Sequence, residues 1–289
     1  MRLCNSYQAA NITGILYTVI VTASIIATVL LYSCPATCDR DVCEIVNYFG
    51  VFIMLELAIN LILFVFYSRK NDPQNWMNKV TFVVKFDDSG RKYCMECNRM
   101  APKRSHHCLL CNMCVLRKDH HCFMTGACVG IANQRFFIVF VLWAGVGAAC
   151  GAFFLLLYLI KFVEPDVLPY GFLKFIAPFA LIRWFMAYET LTNMAMCIGF
   201  SIACASSIAA LIFFVSQMFY TLNGFTMYDY HTLSRRCELK GDGESYKERL
   251  ELIFGPYWFL NFIFPQLWFC NRLTPDIARN IFTASSKEL

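Results

Sequence analysis

Cysteine and histidine side chains are concentrated in one short segment of the chain. Residues 94–128 contain seven of the 16 cysteines and four of the five histidines. Structural zinc sites use these side chains as ligands, four for each tetrahedral ion. Two ions would use eight of the eleven side chains in this segment, so three are left for other chemistry.

Eight of the eleven follow the spacing of zinc sites, and these are Cys94, Cys97, His107, Cys108, Cys111, Cys114, His121 and Cys128. Two cysteines separated by two residues can bind one ion through a tight turn. Adjacent residues such as His107 and Cys108 point in different directions and suit different ions. The spacing therefore predicts two interleaved sites, but it leaves open which ligands belong together.

The elements around this segment are apolar enough to predict an integral membrane protein. Hydrophobic residues make up 58% of the chain, against about 45–50% in a typical soluble domain. A helix needs about 20 residues to cross the hydrocarbon layer of a bilayer. Four stretches meet this requirement, namely residues 12–32, 46–67, 136–160 and 195–220.

The distribution of basic residues predicts the orientation of these spans. Of the 25 lysines and arginines, 12 lie between Arg69 and Arg135 and eight follow Tyr220. Loops rich in Lys and Arg stay on the cytosolic side of a membrane. We therefore expect both termini and the cysteine-rich segment to be cytosolic.

A shorter hydrophobic stretch at residues 172–187 has two interpretations. It contains Lys174, Pro178 and Arg183, and one further crossing would place the basic tail on the opposite side of the membrane. We therefore expect an interfacial or re-entrant element on the lumenal side. An ordinary fifth span is the alternative.

The predicted fold is an α-helical integral membrane protein, a four-span bundle with a small cytosolic zinc-stabilised cysteine-rich domain between spans 2 and 3. We divide the chain into residues 1–70 (spans 1 and 2), 71–135 (cysteine-rich domain), 136–222 (spans 3 and 4 with the insert) and 223–289 (cytosolic tail). Within these parts, residues 80–84 alternate in polarity, residues 87–90 favour a turn, and the aromatic residues 248–270 suggest an interfacial segment.

The order of residues from Cys94 to Phe137 resembles one known family. The pattern is Cys-x2-Cys-x4-Pro-x-Arg-x2-His-Cys-x2-Cys-x2-Cys-x4-Asp-His-His-Cys-x5-Cys-x4-Asn-x3-Phe. It is similar to that of the Asp-His-His-Cys protein S-acyltransferases, which are palmitoyltransferases. Members of that family have four spans, with the cysteine-rich domain in the cytosolic loop between the second and the third.

The chain departs from the family pattern at four places. Phe123-Met124 stands where the family has Pro-Trp, and Asp72-Pro73-Gln74 stands where it has Asp-Pro-Gly. After the last span, Phe225-Thr226-Met227-Tyr228 aligns with Thr-Thr-x-Glu, which keeps one threonine and loses the acid. The tail motif ends in Phe254-Gly255 as expected, but its asparagine is replaced by Arg249.

The resemblance implies a role for each ligand and for the remaining residues. It assigns Cys94, Cys97, His107 and Cys114 to one zinc ion and Cys108, Cys111, His121 and Cys128 to the other. It makes Cys122 the nucleophile that accepts the acyl group, His120 its base, and Asp119 the residue that orients His120. The implied cofactors are two structural Zn²⁺ ions, with palmitoyl-CoA as the acyl donor.

The chemistry of a thiol explains why such residues are needed together. A free cysteine has a pKa of about 8.5, so it requires a neighbouring base or a positive field to act as a nucleophile at neutral pH. An adjacent His-Asp pair can supply the base, as in serine hydrolases. The expected route is ping-pong, through an acyl group on Cys122.

Five basic residues near this motif are candidates for binding the phosphates of CoA, namely Lys92, Lys103, Arg104, Arg117 and Lys118. For any one of them, contact with anionic lipid headgroups is an equally good interpretation.

The sequence thus predicts a membrane S-acyltransferase that moves a long-chain acyl group from acyl-CoA to cytosolic cysteines of membrane-associated proteins. Its expected partners are membrane lipids, acyl-CoA and those proteins, and its expected location is an endomembrane, the Golgi or the endoplasmic reticulum. The alternative is a catalytically silent zinc-containing membrane scaffold. A nucleic-acid zinc finger is disfavoured, because the chain has four spans and lacks the usual long spacer between ligand pairs.

Overall fold

The computed structural model describes residues 2–80, 91–163, 171–232, 241–267 and 271–282. Residues 81–84 and the turn predicted at 87–90 lie outside these ranges. The described chain is mostly helical, and its β-strands lie in the cysteine-rich region between the second and third long helices.

Four helices among the described residues are long and apolar enough to cross a membrane. They have 29 to 32 residues each, so at about 1.5 Å per residue they exceed the roughly 30 Å of hydrocarbon. We call them spans 1 to 4, and they are Tyr7–Thr37, Arg40–Asn71, Gln134–Phe162 and Leu191–Leu222. This arrangement confirms the predicted fold class, whereas the division of the chain into four domains stays a prediction.

The first two spans each combine an α-helix with a shorter helical turn, and the end of span 2 follows from the local sequence. Span 1 lies within α1 (Arg2–Thr28), a π-helical turn (Val29–Ser33) and α2 (Cys34–Thr37). Span 2 consists of α3 (Arg40–Ser68) and a 3₁₀ turn (Arg69–Asn71). It ends at Asn71, because Pro73 disfavours helical backbone in the residue before it, Asp72. A short helix, α4, covers Gln74–Val80.

Span 3 is α5 (Gln134–Phe162) and span 4 is α7 (Leu191–Leu222). Between them lie a 3₁₀ turn (Gly171–Phe175) and α6 (Ala177–Phe185), which has nine residues. A helix of that length extends only about 14 Å, so α6 is too short to be a fifth span. Whether this insert is interfacial or re-entrant stays a prediction.

The tail after span 4 consists of short helices. They are α8 (Met227–His231), α9 (Tyr246–Phe254), a 3₁₀ turn (Trp258–Phe262) and α10 (Pro275–Phe282). Large apolar side chains around the 3₁₀ turn are exposed, among them Phe259, Ile263 and Phe264. An exposed apolar surface of this kind is consistent with the predicted interfacial segment.

The cysteine-rich region contains three antiparallel hairpins, each a separate two-stranded sheet. Their strands are β1 (Arg91–Cys94), β2 (Arg99–Pro102), β3 (Ser105–Cys108), β4 (Met113–Leu116), β5 (His120–Cys122) and β6 (Ala127–Val129). The small buried cluster here consists of Cys108, Val115 and Cys128. Two of its three members are cysteines, so apolar packing alone gives this region only a small core.

By contacts, the chain forms two compact units. Unit 1 contains residues 1–16, 58–140 and 214–289, and therefore holds the cysteine-rich region, the adjacent ends of the spans and the tail. Unit 2 contains residues 17–57 and 141–213.

Small residues bring the helices of unit 2 close together. A Cβ atom placed on Gly147 would lie 2.9 Å from Ile53 Cγ2, and one on Gly151 would lie 2.5 Å from Ile25 Cγ2. Beside this contact is an apolar cavity of about 160 Å³, whose lining includes Val29, Phe49, Cys150 and Phe154.

Two buried asparagines in unit 1 join the end of span 2 to the start of span 3. The Asn71 amide donates to Asn133 Oδ1 (2.9 Å), and Asn71 Oδ1 accepts from the Ala132 N–H (2.8 Å). Asn133 Nδ2 in turn donates to the carbonyls of Phe64 and Cys128. These bonds hold the chain that leaves the last cysteine ligand against span 2.

Three cysteines lie where span 1 meets span 2. Cys34 Sγ and Cys43 Sγ are in contact at 2.7 Å, whereas Cys38 Sγ lies 3.5 Å from Thr37 Oγ1. Cys34 and Cys43 are therefore the two thiols that are placed to interact with each other.

Candidate active site

Strand pairing explains why neighbouring residues serve different clusters. In the β3–β4 hairpin, His107 lies opposite Cys114 and Cys108 lies opposite Met113. Successive side chains of a strand point to opposite faces, so His107 and Cys108 face opposite ways. The β5–β6 hairpin places His121 opposite Cys128. The interleaving predicted from the sequence is a consequence of this alternation.

The first cluster consists of Cys94, Cys97, His107 and Cys114, whose ligand atoms all lie within 4.8 Å of one another. His107 Nδ1 is 3.2 Å from Cys97 Sγ and 3.8 Å from Cys94 Sγ. Cys114 Sγ lies 3.6 Å from Cys97 Sγ.

The second cluster consists of Cys108, Cys111, His121 and Cys128. Its three sulfur atoms lie 3.5, 3.4 and 3.5 Å from His121 Nδ1. The structure thus brings together the same two sets of residues that the resemblance implies.

Both clusters have the chemistry and the spacing of a zinc site. Zn–S bonds of about 2.3 Å and Zn–N bonds of about 2.0–2.1 Å at tetrahedral angles imply S···N separations of about 3.6 Å and S···S separations of about 3.8 Å. The observed separations of 3.2 to 3.8 Å lie near these values. Each cluster can therefore hold one metal ion, and three thiolates with one imidazole fit zinc.

Span 1 supplies a partner to the second cluster. His121 Nε2 donates to Asn11 Oδ1 at 2.9 Å. A ligating histidine usually donates its second N–H in this way, which fixes the tautomer and the orientation of the ring. The bond leaves Nδ1 of His121 free to face the three sulfur atoms.

Three of the eleven side chains lie outside both clusters, and these are His106, His120 and Cys122. The ring of His106 stacks on Tyr228, with centroids 4.1 Å apart, and its Nδ1 lies 3.2 Å from Lys92 Nζ. His106 therefore contributes to packing between the cysteine-rich region and the tail.

His120 lies between a carboxylate and a thiol. Its Nδ1 donates to Asp119 Oδ2 at 2.7 Å, and its ring lies close enough to the Cys122 thiol for each group to shift the pKa of the other. Burial alone would lower the pKa of His120, but the hydrogen bond to Asp119 and the neighbouring Cys122 thiol raise it to about 9. The imidazole is therefore well suited to take up a proton from the sulfur.

The Cys122 thiol is activated by the same contacts. Burial alone would raise the pKa of Cys122, but the neighbouring His120 imidazole, with its charge, and the neighbouring Thr125 lower it below its usual value. A depressed thiol pKa is the property that a nucleophilic cysteine requires. Cys122 is also partly exposed, so a substrate can reach it.

Two further donors hold Asp119, and the sequence pattern did not single out either. Gln217 Nε2 of span 4 donates to Asp119 Oδ2 at 2.8 Å, and the Met227 N–H donates to Oδ1 at 2.7 Å. Asp119 itself is buried. The sequence did contain one indication, since a polar residue within an apolar span marks a functional position by default.

A comparison with known proteins identifies this arrangement. The model of the DHHC palmitoyltransferase family matches residues 87–234, just over half of the chain. The chain belongs to the DHHC palmitoyltransferase family. Members of this family are protein S-acyltransferases that act on acyl-CoA and on membrane proteins. No curated protein matches the chain with significance.

In this DHHC protein, two of the basic residues expected to bind CoA are used inside the fold. Arg104 donates to Asp229 and to Asp242, each at 2.5 Å, and Arg117 Nε donates to Asp242 at 2.6 Å. All four side chains are buried. A guanidinium engaged in this way is not available to phosphate, so we correct the expectation for Arg104 and Arg117.

The departures from the DHHC pattern after span 4 are compensated locally. Thr226 caps α8, where its hydroxyl accepts from the Asp229 N–H at 3.1 Å and Asp229 Oδ2 accepts in return. The acid that the alignment at Tyr228 had lost is therefore present one residue later. Arg249, which replaces the asparagine, donates to the carbonyls of Leu222 and Asp242.

Proposed function

We propose that the chain is a protein-cysteine S-palmitoyltransferase that carries a long-chain acyl group on Cys122. The observation that supports this most is the placement of His120 between Asp119 and Cys122, with all three outside the two metal clusters. A scaffold has no need for a thiol that is activated and at the same time spared from the metal.

The proposed reaction has two steps. His120 takes the proton of the Cys122 thiol, the sulfur attacks the thioester carbonyl of acyl-CoA, and the CoA thiolate leaves with the proton from His120. In the second step, a substrate cysteine gives its proton to His120 while its sulfur attacks the acyl group, and Cys122 leaves as a thiolate that is then reprotonated. Asp119 stabilises the imidazolium in both steps.

Two Zn²⁺ ions are the metals that we propose for the clusters. When bound, they supply structure, because each closes a set of four ligands and leaves no coordination position for substrate. Cys122 lies on the same hairpin as His121 and Cys128. The second cluster therefore fixes the backbone that presents Cys122.

We propose that Lys92, Lys103 and Lys118 bind the phosphates of CoA. All three are partly exposed and lie in the cysteine-rich region. A lysine needs only proximity to a phosphate, since it acts as a point charge. The buried Arg104 and Arg117 are left out of this proposal.

The membrane placement is also a proposal. The excess of Lys and Arg between Arg69 and Arg135 favours a cytosolic cysteine-rich region with both termini on the same side. The protein substrates would then be membrane-associated proteins with cytosolic cysteines. We propose an endomembrane, the Golgi or the endoplasmic reticulum, as the location.

The experiment is an acylation assay of the purified protein with labelled palmitoyl-CoA. We expect a label that neutral hydroxylamine releases, because a thioester is labile to it whereas an oxygen ester is stable. Cys122→Ser should lose this label, and Cys204→Ser, which changes a thiol in span 4, should keep it.

The second candidate function is a silent zinc-containing scaffold, which the replacement of Pro-Trp by Phe123-Met124 favours. It would be supported by a folded, zinc-loaded protein that takes up no label. A hydroxylamine-labile label retained by Cys122→Ser would contradict the role that we propose for Cys122.

A further inference from the structure

A continuous row of hydrogen bonds reaches Asp119 from the buried ion pairs. It begins at Asp242, whose carboxylate accepts from Arg117 Nε at 2.6 Å. Arg117 Nη1 donates to Gln134 Oε1 at 2.7 Å, and Gln134 Nε2 donates to Gln217 Oε1 at 3.1 Å. Gln217 Nε2 then donates to Asp119 Oδ2 at 2.8 Å.

The row has a fixed direction. Arginine can only donate, so Gln134 must present its oxygen to Arg117 and its NH₂ group to Gln217. Gln217 must then present its oxygen to Gln134 and its NH₂ group to Asp119. Turning either amide around would place two donors or two acceptors against each other.

The row is also closed to solvent. Arg117, Gln134 and Gln217 are each no more than 1% exposed, and Asp119 is 2% exposed. Water therefore has little access to replace a lost donor at Asp119. In such surroundings an unmade hydrogen bond is costly, above all when the acceptor is charged.

We propose that Gln217 is a positioning residue for the reaction of Cys122, and that Gln134 and Arg117 fix its amide. This inference rests on the proposed function. Asp119 Oδ2 accepts from both Gln217 Nε2 and His120 Nδ1. Gln217 thereby holds the oxygen that orients the imidazole, although it touches neither the thiol nor the substrate.

The ends of the row lie on different elements. Arg117 follows β4, Gln134 begins span 3, and Gln217 lies five residues before the end of span 4. The row therefore makes the orientation of Asp119 depend on how spans 3 and 4 meet the cysteine-rich region. A local motif alone would not create this dependence.

The test is the rate at which the full-length, zinc-loaded Gln217→Met protein acquires an acyl group from palmitoyl-CoA. Methionine keeps the length and volume of the side chain and removes both polar groups. We expect the limiting rate to fall by about 10- to 100-fold, because a small misplacement of a reacting group can slow a reaction by about 100-fold. The palmitoyl-CoA concentration that gives half of this rate should stay within about twofold, because Gln217 does not contact CoA.

The matched control is Ser207→Ala, ten residues earlier on span 4, which removes the buried hydrogen bond to the Gly145 carbonyl. It should leave the limiting rate within about twofold of wild type. The inference is overturned if Gln217→Met acylates at the wild-type rate, or if Ser207→Ala slows acylation by as much.

A double variant tests the row itself. If Gln134 acts only through Gln217, adding Gln134→Met to Gln217→Met should slow acylation no further. If the double variant is slower than Gln217→Met by the full effect of Gln134→Met alone, the two glutamines act independently, and the row is contradicted.

A second measurement separates this inference from the proposed function. Alkylation of Cys122 by iodoacetamide, followed by mass spectrometry, needs no acyltransferase activity. If wild type fails to acylate, the proposed function fails, but a slower alkylation of Cys122 in Gln217→Met than in Ser207→Ala still supports the positioning role. Equal alkylation rates would contradict it.

Discussion

Asp119 receives hydrogen bonds from three separate parts of the chain. They come from the His120 ring on β5, from the Gln217 amide on span 4 and from the Met227 N–H at the start of α8. A carboxylate that accepts hydrogen bonds on both oxygens keeps one orientation. The reactivity of Cys122 therefore depends on residues that are far from it in sequence.

A second buried carboxylate, Asp242, determines how the tail is attached. It accepts from Arg104, Arg117 and the Asn280 amide. Arg104 also pairs with Asp229, where burial would raise the pKa of the carboxyl group, but the charge of Arg104 and its hydrogen bond lower it to about 2. Asp229 therefore stays ionised at neutral pH.

Asp242→Asn should be strongly destabilising, because it leaves two buried guanidinium groups with too little negative charge. Breaking a buried ion pair from one side costs about 3–5 kcal/mol of unfolding free energy. Thermal unfolding of the purified protein measures this loss of stability as a lower unfolding temperature. Asp276→Asn is the control, since its ion pair with Arg279 is exposed and should be worth at most about 1 kcal/mol. Equal unfolding temperatures for the two variants would contradict the role of Asp242.

One face of span 1 supports the turn that carries Cys122. Asn11, Gly14 and Ile15 lie at the i, i+3 and i+4 positions of a helix. Asn11 accepts from His121, Gly14 lies against the backbone of Phe123, and Ile15 lies against Gly126. The turn that carries Cys122 thus rests on a membrane helix.

Gly14→Ala tests this support. The added Cβ would lie 2.7 Å from the Phe123 carbonyl carbon, which is backbone and cannot move without moving the turn. Because small misplacements of reacting groups are costly, we expect acylation of Cys122 to slow by about 10- to 100-fold. In the control Gly199→Ala, the nearest atom would be 3.8 Å away, an ordinary contact. Wild-type acylation by Gly14→Ala would show that the turn does not depend on span 1.

The junction of spans 1 and 2 makes a separate prediction. The contact between Cys34 and Cys43 selects this pair over either pairing with Cys38. If the junction faces an oxidising lumen, thiol–disulfide exchange with a small-molecule disulfide should link Cys34 to Cys43. The oxidant is reduced to two thiols in this exchange. Mass spectrometry of the alkylated, unreduced protein should then find that, of these three cysteines, only Cys38 is modified. A bridge that includes Cys38 would contradict the prediction.

At the scale of the whole molecule, two clusters of potential metal ligands take the place of a large hydrophobic core in the cysteine-rich region. Three small hairpins cannot bury enough apolar surface to fold alone. The two sets of four ligands join strands that are otherwise in separate sheets. Metal binding and folding of this region should therefore be coupled.

Zinc content tests this coupling. We expect about two zinc ions per chain in the wild type, and fewer in Cys97→Ser and Cys111→Ser, which each break one cluster. Elemental analysis provides the measurement, and Cys204→Ser serves as the control with unchanged zinc. The coupling would be refuted if full chelation left the unfolding temperature unchanged.

The sequence predicted the features that depend on composition and local spacing. The four spans followed from apolar length, and the separation of His107 from Cys108 followed from their being adjacent in the chain. The roles of Gln217 and Asp242 were missed, because both depend on contacts between distant segments. Arg104 and Arg117 were assigned to CoA because a sequence gives the sign of a charge but not its partner.

The central claim is that Cys122 carries the acyl group while both metal clusters stay intact. Native mass spectrometry of the zinc-loaded protein after incubation with palmitoyl-CoA tests it most directly. The account predicts one species with one palmitoyl group, which peptide mapping places on Cys122, and about two zinc ions. A palmitoyl group found only on other cysteines, or an acylated species that has lost a zinc ion, would contradict it.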